Sequence, residues 1–477
     1  MTNAPLRTVF YGPVISSKDL TAYHAWPRCV LCVGADGHIA WIEHDVAPSD
    51  LQTVLETNGS ADANFIELRA GEFLLPGFVD THTHAPQVPN IGSGQQYTLL
   101  EWLQHVTFPM EEQFADVSFA HTSYKDVVRR IIDSGTTTCC YYSTLHLDAT
   151  KALADVVHAA GQRAFVGKCN MDVNDLCATY VESDAAASLR DTDNLIAYIR
   201  ALPHDLVRPV LTPRFALSCS RQLLSALGER ARADRSLLVQ THIDENIGEI
   251  QAVHNTFPEC SSYAAVYDKY NLLGQHTVLA HAVHLTDAEL ELIKERRSGV
   301  AHCPTSNFNL NSGICNVGRL LDNGINARLV GLGTDISGGF STSILTEIRH
   351  ASIASKALLM HTGSESQRHT DSTFEGKPLG VAACLHLATL GGARVCGLGE
   401  RVGKFAPGYA FDALLVSVRT DAGNPRLWGV EQDRELGIKR LGHILDSMLE
   451  RFLFTGDDRN ILRVYVQGKC IGGAAWR

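Results

Sequence analysis

His82 and His84 stand two residues apart at the close of an apolar run, Phe73-Leu74-Leu75-Pro76-Gly77-Phe78-Val79-Asp80-Thr81-His82-Thr83-His84. On an extended strand, positions i and i+2 project to the same face. Two imidazoles at that spacing can therefore hold one divalent cation without bending the backbone, and imidazole suits zinc, iron or nickel. A lone His-x-His is common enough to mean nothing. Here other candidates follow it: His242 in Val239-Gln240-Thr241-His242, His281 in Leu279-Ala280-His281, and Asp335 in Gly333-Thr334-Asp335. Three imidazoles and one carboxylate leave a coordination position for water, as a catalytic site requires. We assign His82, His84, His242 and Asp335 to the metal, and place His281 beside the water. Any one of these residues alone reads more simply as a hydrogen-bonded interior group. Five of them at the ends of expected strands do not. His302, in Ala301-His302-Cys303-Pro304, reads as structural, and His284 lies just past the site. His105, His121 and His146 have no partner that the sequence argues for.

The elements that must position these groups are legible as alternating strands and helices. Apolar, often β-branched runs at 73–80, 136–142, 163–169, 207–212, 237–242, 277–281, 299–302 and 327–333 predict strands buried on both faces. The intervening segments each have room for a helix, among them 118–134 and 222–233. Eight such units predict an α/β fold, a (β/α)8 TIM-like barrel, whose active site lies at the carboxyl ends of the strands. Every chemical candidate falls at such an end. The first ~75 residues instead read as short strands. Residues 29–33 and 38–42 flank the turn Gly34-Ala35-Asp36-Gly37, a hairpin signal. Short apolar runs return at 411–416 and 464–469. We expect both termini to form one small β-domain, a sandwich: residues 1–72 and 405–477 flanking a barrel of 73–404.

The 477 residues accommodate such a barrel with a satellite domain. Hydrophobic residues make up 45% and charged residues 19%, and the formal net charge is −11. That balance argues against a nucleic-acid partner, which needs clustered Lys and Arg. The first residues carry no basic-then-apolar leader, and no apolar run is long enough to span a bilayer. The 13 cysteines show no framework spacing and read as reduced thiols. Cys29 and Cys32 have no second pair and read as apolar strand residues. The expectation is a cytoplasmic protein that binds neither nucleic acid nor membrane.

The pattern of His-x-His on strand one, His on strands five and six and Asp on strand eight resembles the amidohydrolase superfamily. Within it the chain is similar to the eukaryotic guanine deaminase family. The runs that carry this are Leu99-Leu100-Glu101-Trp102-Leu103 with Thr107-Phe108-Pro109, Gly135-Thr136-Thr137-Thr138, 161–168, Thr212-Pro213-Arg214-Phe215, His242-Ile243-Asp244-Glu245, Asn307-Phe308-Asn309-Leu310 and 456–460. The resemblance spans the barrel and much of the tail. It implies hydrolytic deamination of guanine to xanthine and ammonia in purine catabolism, with one Zn2+ per chain, although the same donors accept Fe2+. It also implies a homodimer.

The resemblance implies that Gln87, Arg214 and Phe215 meet the purine, together with His84, His242, Glu245 and Asp335. Guanine offers O6 and N7 as acceptors to an Arg fork, and Phe215 can stack on a flat ring. The catalytic set it implies is Asp335 accepting the proton of the attacking water, His281 orienting that water, and Glu245 carrying protons to the ring nitrogen and then the leaving amine.

Three enzymatic rivals and one non-enzymatic alternative stand against this reading. A binuclear amidohydrolase uses a strand-four lysine; strand four here has none, and Lys168 on strand three is the nearest. A nucleoside-type zinc deaminase needs His-x-Glu, which the chain lacks. Another superfamily member acting on cytosine, a triazine or a different aminopurine differs only in its substrate residues. A non-catalytic scaffold barrel should show gaps among the ligands and proton carriers, and none is visible.

Overall fold

The computed structural model describes residues 7–322, 329–361, 372–424 and 438–476. In chain order the strands are β1 (Thr8–Ser17), β2 (Tyr23–Val33), β3 (Ile39–His44), β4 (Asn64–Glu67), β5 (Glu72–Pro76), β6 (Phe78–His84), β7 (Thr136–Tyr142), β8 (Arg163–Gly167), β9 (Cys169–Asn170), β10 (Val207–Pro213), β11 (Leu238–Ile243), β12 (Thr277–His281), β13 (Gly299–His302), β14 (Val330–Leu332), β15 (Ala413–Ser417), β16 (Ile461–Val466) and β17 (Lys469–Gly472).

Strands β6, β7, β8, β10, β11, β12, β13 and β14 run side by side in that order, all parallel, and β9 adds to the β10 edge. This is the expected TIM-like barrel. Its helices begin and end where local chemistry dictates. Val117–Asp133 starts at Asp116, whose carboxylate accepts from the backbone N–H groups of Ser118 and Phe119. Arg221–Ala233 starts at Ser220 in the same way. Inside the barrel, Val79, Cys140, Phe165, Val210, Leu238, Val278 and Ala301 form an apolar cluster that Ala393, Val395, Leu398 and Val402 join. The barrel interior is therefore a packed floor beneath the site and not a pore.

Among the described residues, β6 and β14 share no ladder of backbone bonds. The seam between them is stitched by polar groups. The Thr81 hydroxyl donates to the Leu332 carbonyl (2.8 Å), and Thr334 donates through its N–H (3.0 Å) and hydroxyl (2.5 Å) to Asp80. The Asp335 N–H donates to the His82 carbonyl (2.9 Å). The same bonds that close the barrel thus fix two of the expected metal ligands opposite each other.

The second sheet takes strands from both ends of the chain, in the order β17-β16-β15-β5-β1-β2-β3, with β4 on β1. The expected hairpin is β2 and β3, closed by Gly34 N–H donating to the His38 carbonyl (2.7 Å). The expected strand at 73–80 is two strands. Glu72–Pro76 pairs antiparallel with β15 in the terminal sheet, and Phe78–His84 opens the barrel. Pro76 offers no N–H, and a Cβ at Gly77 would lie 2.2 Å from Thr137 side-chain atoms. Only glycine lets the chain pass from one sheet to the other there. The expected strand at 163–169 also divides, into β8 and β9. The eighth is shorter than expected, and positions 327 and 328 lie outside the described residues. The sheets are joined by a buried ion pair: Arg163 Nε and Nη2 donate to Asp412 Oδ2 (2.9 Å) and Oδ1 (3.2 Å).

All 13 cysteines are free thiols, with Cys29 and Cys32 buried on β2. No helix among the described residues is long and apolar enough to cross a membrane.

Candidate active site

His82, His84, His242 and Asp335 converge, all buried, with their ligand atoms within 4.8 Å of one another. His82 and His84 project from the end of β6, His242 from β11, and Asp335 follows β14. The ring nitrogens tell which atoms are available. His82 Nδ1 lies 2.8 Å from Gln240 Oε1, and His242 Nδ1 lies 2.5 Å from the Arg214 carbonyl. Both partners are pure acceptors, so both Nδ1 atoms carry the proton and both Nε2 atoms face inward as lone pairs. His84 Nε2 stands 3.1 Å from His242 Nε2, and Asp335 Oδ1 lies 3.1 Å from His82 Nε2 and 3.3 Å from His84 Nε2. Nitrogen lone pairs gathered this closely in a buried space suit a cation. The residues fit a divalent metal ion.

The electrostatics agree. Burial lowers His84 to about 4, and burial with the neighbouring imidazoles holds His242 well below the usual range, so both are neutral as ligands must be. Burial opposes the charge of Asp335, but its close contacts with His82 and His84 outweigh it and hold the carboxyl well below the carboxylate range. Glu245 moves the opposite way: burial, then the charges of Asp335 and Glu249, push it well above. Two neighbouring carboxyls are thus split into a base and an acid.

His281 belongs to the same cluster. Its Nδ1 pairs with Asn307 Oδ1 (2.9 Å), while Nε2 lies 3.4 Å from Glu245 Oε2 and 3.7 Å from Asp335 Oδ2. Asp244, His281, Ala282 and Asp335 all hold left-handed backbone, at φ 48°, 75°, 52° and 41°. Such strain gathers at functional sites. Ser312 donates to Glu245 Oε1 (3.3 Å).

A pocket opens onto this cluster, lined by His84, Asp335, Gln87, Arg214, Phe215, His242 and Glu245, with Leu99, Trp102, Leu103 and Leu310 among its apolar walls. Phe215 is edge-on to His242, centroids 6.5 Å apart. Arg214 does not have a free fork. Its Nη1 and Nη2 donate to Glu111 Oε2 (2.6 Å) and Oε1 (3.1 Å), and Gln87 Nε2 donates to Glu111 Oε1 (2.7 Å).

Sequence reasoning missed Glu111, Asn307, Ser312 and Gln240. Gln240 carried a signal, since it stands two residues before His242 on the same strand face. The Leu99–Leu103 run marked the resemblance and here walls the pocket. His302 is buried, with no hydrogen-bond partner for either ring nitrogen among the described residues. His284 Nε2 donates to the Ser312 carbonyl (2.6 Å), one residue beyond the site. Lys168 lies apart from the cluster, its ammonium on the Glu182 carboxylate and the Cys169 carbonyl.

A parallel barrel with a buried three-imidazole, one-carboxylate cradle at its strand ends defines a metal-dependent hydrolase, and the chain belongs to the amidohydrolase family, whose model matches residues 73–471. Within that family its similarity is to guanine deaminases. It is 42% identical to a probable guanine deaminase of Schizosaccharomyces pombe, over 98% of this chain and 83% of that one. It is 39% identical to the guanine deaminase of Mus musculus, over 98% and 96%. The crystal structure of a guanine deaminase from C. acetobutylicum with bound guanine in its active site superposes with a TM-score of 0.84 at 33% identity, covering 98% of this chain and all of the other.

Proposed function

We propose that this chain is a guanine deaminase, a hydrolase that converts guanine to xanthine and ammonia in purine catabolism. One observation carries the reading: a single pocket is lined both by His84, His242 and Asp335 of the cation cradle and by Gln87, Arg214 and Phe215, groups suited to the edge and face of a purine.

The metal is read as one zinc ion per chain, held by His82, His84, His242 and Asp335. When bound, it supplies hydroxide near neutral pH by lowering the pKa of water. Asp335, ionised, takes the proton that the attacking water gives up. His281, with Nδ1–H fixed on Asn307, turns Nε2 towards Asp335 and Glu245 and orients the attacking oxygen. Glu245, kept protonated by burial, delivers a proton to the ring nitrogen next to the attacked carbon. Left ionised by that transfer, it takes the proton of the newly added hydroxyl and passes it to the amine, which leaves a tetrahedral carbon readily only when protonated, and the proton held on Asp335 then restores Glu245. Gln87 and Arg214 hold the purine's acceptor edge through N–H groups, and Phe215 packs against the ring.

Lys168, engaged by Glu182 away from the cluster, supports this reading over a two-metal site. One ion per chain by metal analysis is expected; two would favour the binuclear class. Glu245→Gln is expected to keep the metal and lose about 10²–10⁴-fold in kcat. Turnover at the wild-type level would remove Glu245 from the chemistry. A panel of guanine, adenine, cytosine and a triazine, followed by ammonia release, tests the substrate, and release from cytosine or the triazine alone would overturn guanine. The protein is read as a cytoplasmic homodimer, which light scattering and fractionation would check.

A further inference from the structure

Glu111 touches neither the pocket nor the metal donors, yet it organises the purine end of the site. Its carboxylate accepts three N–H groups, two from Arg214 and one from Gln87. The three side chains are buried. Gln87 Oε1 accepts the Ser337 N–H (2.9 Å), so the amide is gripped at both atoms. The guanidinium carbon of Arg214 stands 5.1 Å from the centroid of the Phe108 ring, which fixes its plane.

Resting on the guanine reading, we propose that Glu111 is a positioning residue that sets selectivity for a purine with an oxo group at C6. An arginine carries five N–H donors and a glutamine amide two. Glu111 consumes two of the first set and one of the second. The remaining N–H groups are held in fixed directions, with no acceptor among them. The argument turns on the guanidinium. The Ser337 N–H, a pure donor, already fixes which way the Gln87 amide faces, and Glu111 anchors its nitrogen. For Arg214 the carboxylate supplies both bonds that aim the fork. Freed from them, the Arg214 donors can swing aside from a group at C6 that cannot accept, and the site penalises an amino group there less than the clamped site does. A site built of hydrogen-bond donors discriminates strongly against an analogue that cannot accept, because its buried donors are left unpaired.

The test is Glu111→Gln, assayed on guanine and on 2,6-diaminopurine, with metal content measured alongside. The expected result is a drop of about tenfold or more in the kcat/KM ratio of guanine over diaminopurine, with the metal retained. In a cycle with Arg214→Gln, the double variant should show the same ratio as Arg214→Gln alone, because Glu111 acts through that side chain. The double variant also removes the unmatched buried cation, so it remains informative where the single variant folds poorly. An equal fall of kcat/KM on both purines means a purely structural role and overturns the proposal. A lower KM for guanine in Glu111→Gln, with Arg214 released to the substrate, overturns it too. Wild-type protein inert on guanine sinks the underlying reading, whereas an active wild type with an unchanged ratio in the variant sinks this proposal only.

Discussion

Both ends of the barrel bury charge, and they treat it differently. At the base, Arg163 meets both oxygens of Asp412, and Asp412 Oδ1 also accepts the Gln467 N–H (2.8 Å). At the top, His84 Nδ1 and His281 Nε2 have no hydrogen-bond partner among the described residues, two imidazole nitrogens face each other at 3.1 Å, and His281 and Asp335 sit in left-handed backbone. Matched burial holds the two sheets together. Unmatched burial is tolerated where something else completes it. The contrast separates the part of the molecule that keeps the fold from the part that performs chemistry.

Substitutions can break or sharpen that contrast. The largest effect is expected at the top. Asp335→Ala should abolish metal binding and lower turnover by about four orders of magnitude or more, while circular dichroism and the unfolding midpoint of the metal-free protein stay close to wild type. A collapse of the fold would show that the top is structural as well. Arg163→Met at the base should do the reverse. Leaving Asp412 buried without its partner costs about 3–5 kcal/mol, read by denaturant unfolding, while kcat and metal content of the folded fraction are unchanged. Gln240→Leu removes the acceptor of His82 Nδ1–H and should weaken metal affinity by about 10–100-fold, measured by chelator competition.

The smallest effect tests a buried carboxyl between the extremes. Burial raises Glu347 well above the usual glutamate range despite hydrogen bonds from Thr305. An acid raised by folding is favoured in its protonated form. Its contribution is therefore present below the ordinary glutamate pKa and is lost as pH rises towards the folded value. Glu347→Gln keeps the shape without that loss. Its thermal midpoint should exceed that of wild type at pH 8 by about 1 kcal/mol in stability and converge with it near pH 4. A constant difference across pH would assign the effect to packing.

Strand-borne chemistry was legible in the sequence because it obeys local rules. Alternation put His82 and His84 on one face, and apolar runs ending in His242, His281 and Asp335 announced where the strands stop. The terminal β-sheet and its hairpin followed from short runs and a Gly-rich turn. The boundary between sheets was not legible. Both sides of Gly77 are buried and apolar, so periodicity shows no break, and only the close approach to Thr137 explains it. Glu111 was hidden for a different reason. It lies beyond a short helix, Leu99–Trp102, and a wide turn, Leu103–Thr107, and its partner Arg214 is 103 residues away. No spacing rule spans such a distance. Gln240 was visible on the face of His242, but glutamine is not a ligand type, and its service to His82 appears only once β6 and β11 are brought together.

The passage through Gly77 has a consequence for synthesis. The strand that carries the histidine pair continues directly from one whose antiparallel neighbour is Ala413–Ser417, encoded more than three hundred residues later. Asp335 likewise arrives long after His82. A chain still emerging from the ribosome can assemble helices and inner strands, but the anchor of its opening strand and the last donor of its cradle come late. Loading with the ion therefore waits for Asp335, and a truncation before residue 413 should yield a protein whose opening barrel strand has lost its antiparallel anchor.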